Sequence, residues 1–236
     1  MERMSFKRKL VIALVIIVGG IRILTILMPQ KEEEHQKKST QTEVVITGGN
    51  LDVLKPIDED AIEDSEYRNT IEEALKYQGD NSNPENAYMY NVDEVLFQLE
   101  SDKYSTIYYR SVKSKTEECY TMAKLKKKLI DGNIKYVFLS CNYSEMEDNA
   151  WIVGSFESIV ESKLKLLDVA RDLGPNPEKR FVYGDTKDEK IFKLKIEGQE
   201  PTGIIPYESF DEQWYFWYYE DLKSDKPGSQ LEFTVE

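Results

Sequence analysis

Residues 10–28 read LVIALVIIVGGIRILTILM, a run of 19 residues broken by one charge, Arg22. A helix of about 20 apolar residues spans the hydrocarbon core of a bilayer, and few other structures accommodate such a run. Arg3, Lys7, Arg8 and Lys9 precede it; Lys31 and then Glu32, Glu33 and Glu34 follow it. Basic flanks stay on the cytoplasmic side, so this pattern predicts a cytoplasmic N-terminus and an exported remainder. The uninterrupted apolar stretch before Arg22 has 12 residues, a length that also suits the core of a signal peptide. The exit, Thr25-Ile26-Leu27-Met28-Pro29-Gln30, lacks the small-x-small pattern of a cleavage site, and no cysteine follows closely for lipid attachment. The segment is therefore read as an uncleaved transmembrane helix, with residues 1–9 as a cytoplasmic tail. Arg22 lies near its outer end, where it can snorkel to the interface or pair with a partner helix.

Charge sharpens this division. The chain of 236 residues has 31 Lys+Arg and 44 Asp+Glu, a net charge of −13. Residues 1–31 hold six of the basic residues and one acid, so the rest carries −18. So acidic a surface repels phosphate backbones, which argues against nucleic acid as a partner. Hydrophobic residues are 40% of the chain and aromatics 11%, enough for a real core.

Residues 29–57 are read as a stalk. The stretch KEEEHQKKSTQT (31–42) is polar and patternless, and it holds the sole histidine, His35. A short strand is predicted at Glu43–Thr47, ended by Gly48-Gly49-Asn50. DEDAIEDSE (58–66) concentrates acids but lacks the spacing of a calcium loop, so it reads as a solvated helix start. Thr70-Ile71-Glu72-Glu73 fits a capping box, predicting a helix over Ile71–Tyr77 that stops at Gly79.

The period then switches to two. Strands are predicted around Val95–Leu99, Thr106–Val112, Cys119–Leu125 and Ile134–Cys141, with Asp131-Gly132 as a hairpin turn. Phe156, Ile159, Val160, Leu164, Leu167 and Val169 approximate helical spacing. Gly174-Pro175-Asn176-Pro177 reads as a boundary. Beyond it, Phe181–Tyr183, Ile191–Ile196, Gly203–Tyr207, Gln213–Glu220 and Leu231–Val235 read as five short strands of a small β-sandwich. The expected fold class is α+β: a helix-plus-meander domain at 58–174 and a sandwich-like domain at 175–236. Asp93-Glu94-x-x-Phe97-x-Leu99 also matches Asp188-Glu189-x-x-Phe192-x-Leu194, a pattern that duplication and similar strand needs explain equally well.

Several short motifs carry a resemblance. A helix opening Ile71-Glu72-Glu73-Ala74 precedes a meander with Tyr108-Tyr109. A tail module holds Tyr183-Gly184-Asp185, Lys193–Gly198 and Trp214-Tyr215-Phe216. Over about residues 70–236 the chain resembles a loose group of small, largely uncharacterised membrane-anchored or secreted proteins of Bacillus-type Gram-positive bacteria. The resemblance implies a place in the cell envelope and no activity.

Chemistry is sparse. No Gly-rich phosphate loop, G-x-S-x-G, H-E-x-x-H or C-x-x-C occurs. A histidine-based catalyst would have to use His35 in the stalk, where nothing holds a base rigidly. No enzyme activity, cofactor or metal is expected. The expectation is a single-pass extracytoplasmic interaction or scaffold protein, held to the lipid bilayer by residues 10–28 and facing an envelope protein partner. The alternative is an ectodomain that binds a peptide or glycan. Cys119 and Cys141 lie on strands expected to pair, so a disulfide is possible, although a simple two-residue turn sets Cys119 opposite Ser144. The densest feature is Trp214–Tyr219, WYFWYY. On a strand Tyr215, Trp217 and Tyr219 share one face. Both faces of such a strand can be core, or the second can be a contact surface; Tyr215, Trp217 and Tyr219 are taken as the candidate contact residues.

Overall fold

The computed structural model describes residues 42–43, 58–147 and 155–236. The expected cytoplasmic tail, the transmembrane helix at 10–28 and nearly all of the stalk lie outside those residues. Among the described residues no helix is long and apolar enough to cross a membrane.

The fold is α+β, with an antiparallel meander at its centre. Strands β2 (Glu94–Glu100), β3 (Tyr104–Ser114), β4 (Glu117–Ile130) and β5 (Asn133–Glu147) pair in sequence order. A two-residue strand, β1 (Thr42–Glu43), pairs with β5 at Ser144 and Tyr143. The β4–β5 turn is Asp131-Gly132, both at positive φ (53° and 79°), so the backbone twist of the turn matches that of the strands. Farther along, Lys124 pairs with Ser140 but Leu125 with Phe138, so Leu139 is the extra residue of a bulge.

Alternation along the meander gives two buried faces. Ile107, Tyr109, Cys119, Ala123, Leu125 and Cys141 face one way. Over them lie α1 (Ile71–Asp80), through Ala74 and Leu75, and the 3₁₀ segment Pro84–Tyr90, through Met89 and Tyr90. Thr70 caps α1 by accepting from the Glu73 amide (3.1 Å), and the Glu73 carboxylate accepts from the Asn69 amide (3.0 Å). The helix runs three residues past the expected Tyr77 because Gly79, without a side chain, sits against Tyr90. The acidic stretch before α1 forms two short 3₁₀ turns rather than a helix start. Its acids meet the basic end of β4: Glu59 with Lys126 (3.5 Å) and Asp64 with Lys128 (2.6 Å).

The opposite face presents Phe97, Tyr108, Tyr120, Met122 and Met146. It meets a second sheet through Tyr207, Trp214 and Phe216. That sheet contains β6 (Val182–Thr186), β9 (Glu212–Tyr219) and β8 (Gly203–Ser209), with β9 in the middle. Its far face is covered by α2 (Phe156–Leu166), through Phe156, Val160 and Leu164. A two-stranded sheet of β7 (Leu194–Ile196) and β10 (Phe233–Val235) adds Leu194 and Ile196 to the same cluster. Of the strand expected at Ile191–Ile196, residues 191–193 belong instead to the 3₁₀ segment Glu189–Lys193. The two halves of the repeated Asp-Glu-x-x-Phe-x-Leu pattern therefore differ: Phe97 is core in a strand, whereas Phe192 is 60% exposed in a turn.

The expected domain boundary at 174/175 is crossed by packing. Helix α2, which precedes it in sequence, packs on the sheet that follows it. Residues 172–175 form a strap tied across the meander by three side-chain donors. Lys124 Nζ donates to the Asp172 carbonyl (3.3 Å), Thr106 Oγ1 to the Leu173 carbonyl, and Ser101 Oγ to the Pro175 carbonyl (2.7 Å). Gly-Pro-Asn-Pro breaks regular structure here, but the freed carbonyls find partners on the meander instead of water.

Candidate functional site

The aromatic strand does not supply the expected contact surface. Trp217 and Tyr219 are 1% and 2% exposed, inside the cluster beneath α2 and β7. The Tyr219 hydroxyl donates to the Gln199 carbonyl (3.0 Å) and accepts from the Ile196 amide (3.2 Å). A central strand with a layer on each side buries both of its faces. Tyr215 alone of the three stays partly exposed, edge-on to Phe192 with ring centroids 5.0 Å apart.

Nor are the two thiols joined. Cys119 and Cys141 are free and buried. The bulge sets Cys119 opposite Glu145 and Cys141 opposite Ala123. Four residues of strand separate the two levels, on the order of 13 Å, beyond the reach of a disulfide. Burial pushes both thiols up, to about 11 for Cys119 and about 12 for Cys141. Neither is a nucleophile in that state.

The concave feature of the fold lies elsewhere. A cavity of about 390 Å³ opens where the end of α2, the strap and the start of β6 converge over β5. Leu166, Leu167, Leu173 and Phe181 supply apolar wall, and Asn142 and Tyr183 line it from β5 and β6. Asn142 Nδ2 donates to the Tyr183 hydroxyl (2.9 Å). That bond consumes one lone pair of the phenol and leaves its proton available for an acceptor. Burial raises the Tyr183 phenol well above its ordinary range, so it is a donor and not an anion at neutral pH.

Charged groups surround this floor. Lys163 lies 3.6 Å from Asp185, both side chains mostly buried (13% and 15% exposed). Arg180 Nη1 donates to the carbonyls of Ser224 and Lys226, while Lys179 pairs with Glu220 at 2.7 Å. Asp172 accepts from the Gly174 amide (2.9 Å) and stands 3.9 Å from Lys124 Nζ. Its side chain is 45% exposed. Desolvation outweighs pairing for both partners: the Asp172 carboxyl is raised and the Lys124 ammonium lowered from their usual ranges. Among the described residues there is no group of three or more His, Cys, Asp or Glu able to hold a metal.

No protein-family model, curated protein or solved structure matches the chain.

None of the cavity residues was named as a site residue from sequence, although Leu167, Pro177, Phe181 and Tyr183 were read as parts of helix, break, strand and motif. The signal is two runs, Lys163–Leu173 and Pro177–Tyr183, each mixing cations with large apolar residues on either side of Gly174-Pro175-Asn176. Read linearly, the first resembles an ordinary amphipathic helix and the second an ordinary strand start. Their convergence depends on the strap, which needs donors from β3 and β4.

Proposed function

We propose that this protein is a single-pass, membrane-anchored, non-catalytic binding protein of the cell envelope. Residues 10–28 are its transmembrane helix in the bilayer, residues 1–9 its cytoplasmic tail, and the part from 29 onward its extracytoplasmic region. Residues 175–236 are taken as a small β-sandwich. The flanking charges support this orientation, and the likeness to anchored proteins of Bacillus-type Gram-positive bacteria supports the location. Ligand binding, rather than scaffolding alone, is favoured by one observation: the cavity beside α2. Its volume of about 390 Å³ lies in the range of small-molecule sites. It also combines apolar walls with a few convergent polar groups, the usual composition of such sites.

The test is thermal unfolding of the full chain in detergent against a library of small organic compounds, beside the same chain carrying Ala170→Trp, which puts a large ring into the cavity lining. Compounds that raise the melting temperature of the unmodified chain only are the expected result. Shifts equal in both chains remove the cavity from the reading.

A second reading, contact with an envelope protein, draws on Phe192 and Tyr215. Phe192, which is exposed, and Tyr215, which is partly exposed, form an aromatic pair next to Pro206, the β8 partner of Tyr215. Loss of a co-purifying envelope protein on Phe192→Ser would support it.

A further inference from the structure

We propose that the cavity beside α2 takes a neutral, largely apolar organic molecule that presents one carbonyl-type acceptor to the Tyr183 hydroxyl. This rests on the reading of the cavity as a ligand site and adds the ligand's class.

The charges of the lining decide that the ligand carries none. Each is already answered within the protein or lies in solvent. Lys163 pairs with Asp185 (3.6 Å) and Lys179 with Glu220 (2.7 Å). Arg180 donates to the carbonyls of Ser224 and Lys226, and its field reaches the Asp168 and Glu197 carboxylates. Arg171 is not free either. Asp172 accepts from the Gly174 amide and stands 3.9 Å from Lys124 Nζ, and Glu178 is exposed to water. A charged ligand would give up hydration without gaining an unmatched counter-charge, or would have to break one of these pairs. A neutral molecule meets neither cost, and Leu166, Leu167, Leu173 and Phe181 offer it apolar contact.

One hydrogen-bonding group of the lining is left with capacity that the protein does not fill. The Tyr183 oxygen accepts from Asn142 Nδ2 at 2.9 Å, and among the described residues its O–H has no acceptor. The ring is stacked on Phe181, with centroids 5.6 Å apart, so the hydroxyl is held in place rather than free to seek a partner. Burial raises the phenol above its ordinary range, which keeps the proton on at neutral pH. A desolvated donor without an acceptor is a cost to the fold, and a ketone, ester or amide oxygen relieves it on binding.

The experiment uses the full chain in detergent and three phenyl-trifluoromethyldiazirines of nearly one shape. They differ in the para group: acetyl, a neutral acceptor; isopropyl, with no acceptor; and carboxylate, a charged one. After irradiation, labelling of the 163–183 stretch, which carries most of the lining, is mapped by mass spectrometry. It is read relative to the rest of the chain, which cancels partition into detergent. The acetyl probe is expected to label that stretch about fivefold more than the isopropyl probe, the worth of one net hydrogen bond. It is expected to exceed the carboxylate about tenfold, because that probe must shed its water without a counter-charge. Tyr183→Phe is expected to bring the acetyl probe down to the isopropyl level, with near-ultraviolet circular dichroism showing the variant folded. A carboxylate that labels as well as the acetyl probe overturns the neutral class and leaves a ligand cavity standing. An acetyl–isopropyl gap that is absent in the unmodified chain, or that survives Tyr183→Phe, overturns the contact with Tyr183. Labelling of the stretch by none of the three probes overturns the site itself. The three-probe comparison needs no variant, so a misfolded Tyr183→Phe does not blunt it.

Discussion

Gly184 on β6 pairs directly with Trp217 on β9, and a Cβ built on Gly184 would stand 2.5 Å from Cζ2 of the indole. The indole is buried beneath α2 and cannot swing away without disturbing Val160 and Leu164, its fellows in that cluster. The bare backbone at 184 is thus what lets the largest side chain of the cluster lie flat on the sheet. Gly184→Ala is expected to destabilise by about 1–3 kcal/mol, as overpacking does. Trp217→Ala is expected to cost about 3–5 kcal/mol by opening a cavity. Tyr215→Ala, at the partly exposed edge, is expected to cost about 1 kcal/mol or less. Urea denaturation of the three variants checks the order. A tolerated Trp217→Ala would return this face to the surface.

The strap across the meander makes a separate claim. Thr106 is fully buried, and its hydroxyl is the donor to the Leu173 carbonyl. Thr106→Val keeps the shape, removes that donor and leaves a buried carbonyl unsatisfied. The expected loss is about 1–3 kcal/mol. Hydrogen exchange should quicken in residues 171–177 before it does in β3 itself. Unchanged stability and exchange would mean that the strap is held by packing alone.

These two relationships show where sequence reading succeeded and where it stopped. Period-two alternation marked all four meander strands, because each buries at least one face. Asp131-Gly132 marked the hairpin, because only a turn with two positive φ angles closes it. The bulge at Leu139 was not legible: an extra apolar residue within an apolar run looks like any other. Nor was the burial of Trp217. The alternation was read correctly, but what covers the second face is α2, some fifty residues earlier, and β7, some twenty earlier. The strap was read as a boundary because Gly and Pro announce a break in regular structure and say nothing about what the broken segment touches. The cavity follows from the strap and was invisible for the same reason.

The thiols give a simple count. Cys119 and Cys141 are free and buried at different levels of the meander. The folded chain at about pH 8 is expected to be silent toward an aromatic disulfide reagent, since buried thiols with raised pKa values supply almost no thiolate. Unfolding in guanidinium without reductant should release both thiols. Fewer than two would indicate a bridge and overturn the register set by the bulge.

Alkali should unfold this protein before its tyrosines titrate normally. Burial holds Cys119 at about 11, and Cys141 and Tyr90 at about 12. It also raises Tyr108, Tyr109 and Tyr207 well above the ordinary phenol range. In the unfolded chain a thiol ionises near about 8.5 and a phenol near about 10. Between those values and the raised ones, the unfolded state has released protons that the folded state still binds. Stability therefore falls as pH rises. The contribution is complete below about pH 8 and is lost progressively as pH climbs from there through about 12. Urea midpoints are expected to hold steady up to about pH 8 and to drop at each step above it. Tyrosinate absorbance should appear in two parts: an early one from exposed rings, and a later one that coincides with loss of the near-ultraviolet circular dichroism signal. Full tyrosinate formation near about pH 10 with that signal intact would mean that the phenols between the two sheets are open to water. The packing of Tyr108 and Tyr207 against Phe216 would then have to be abandoned.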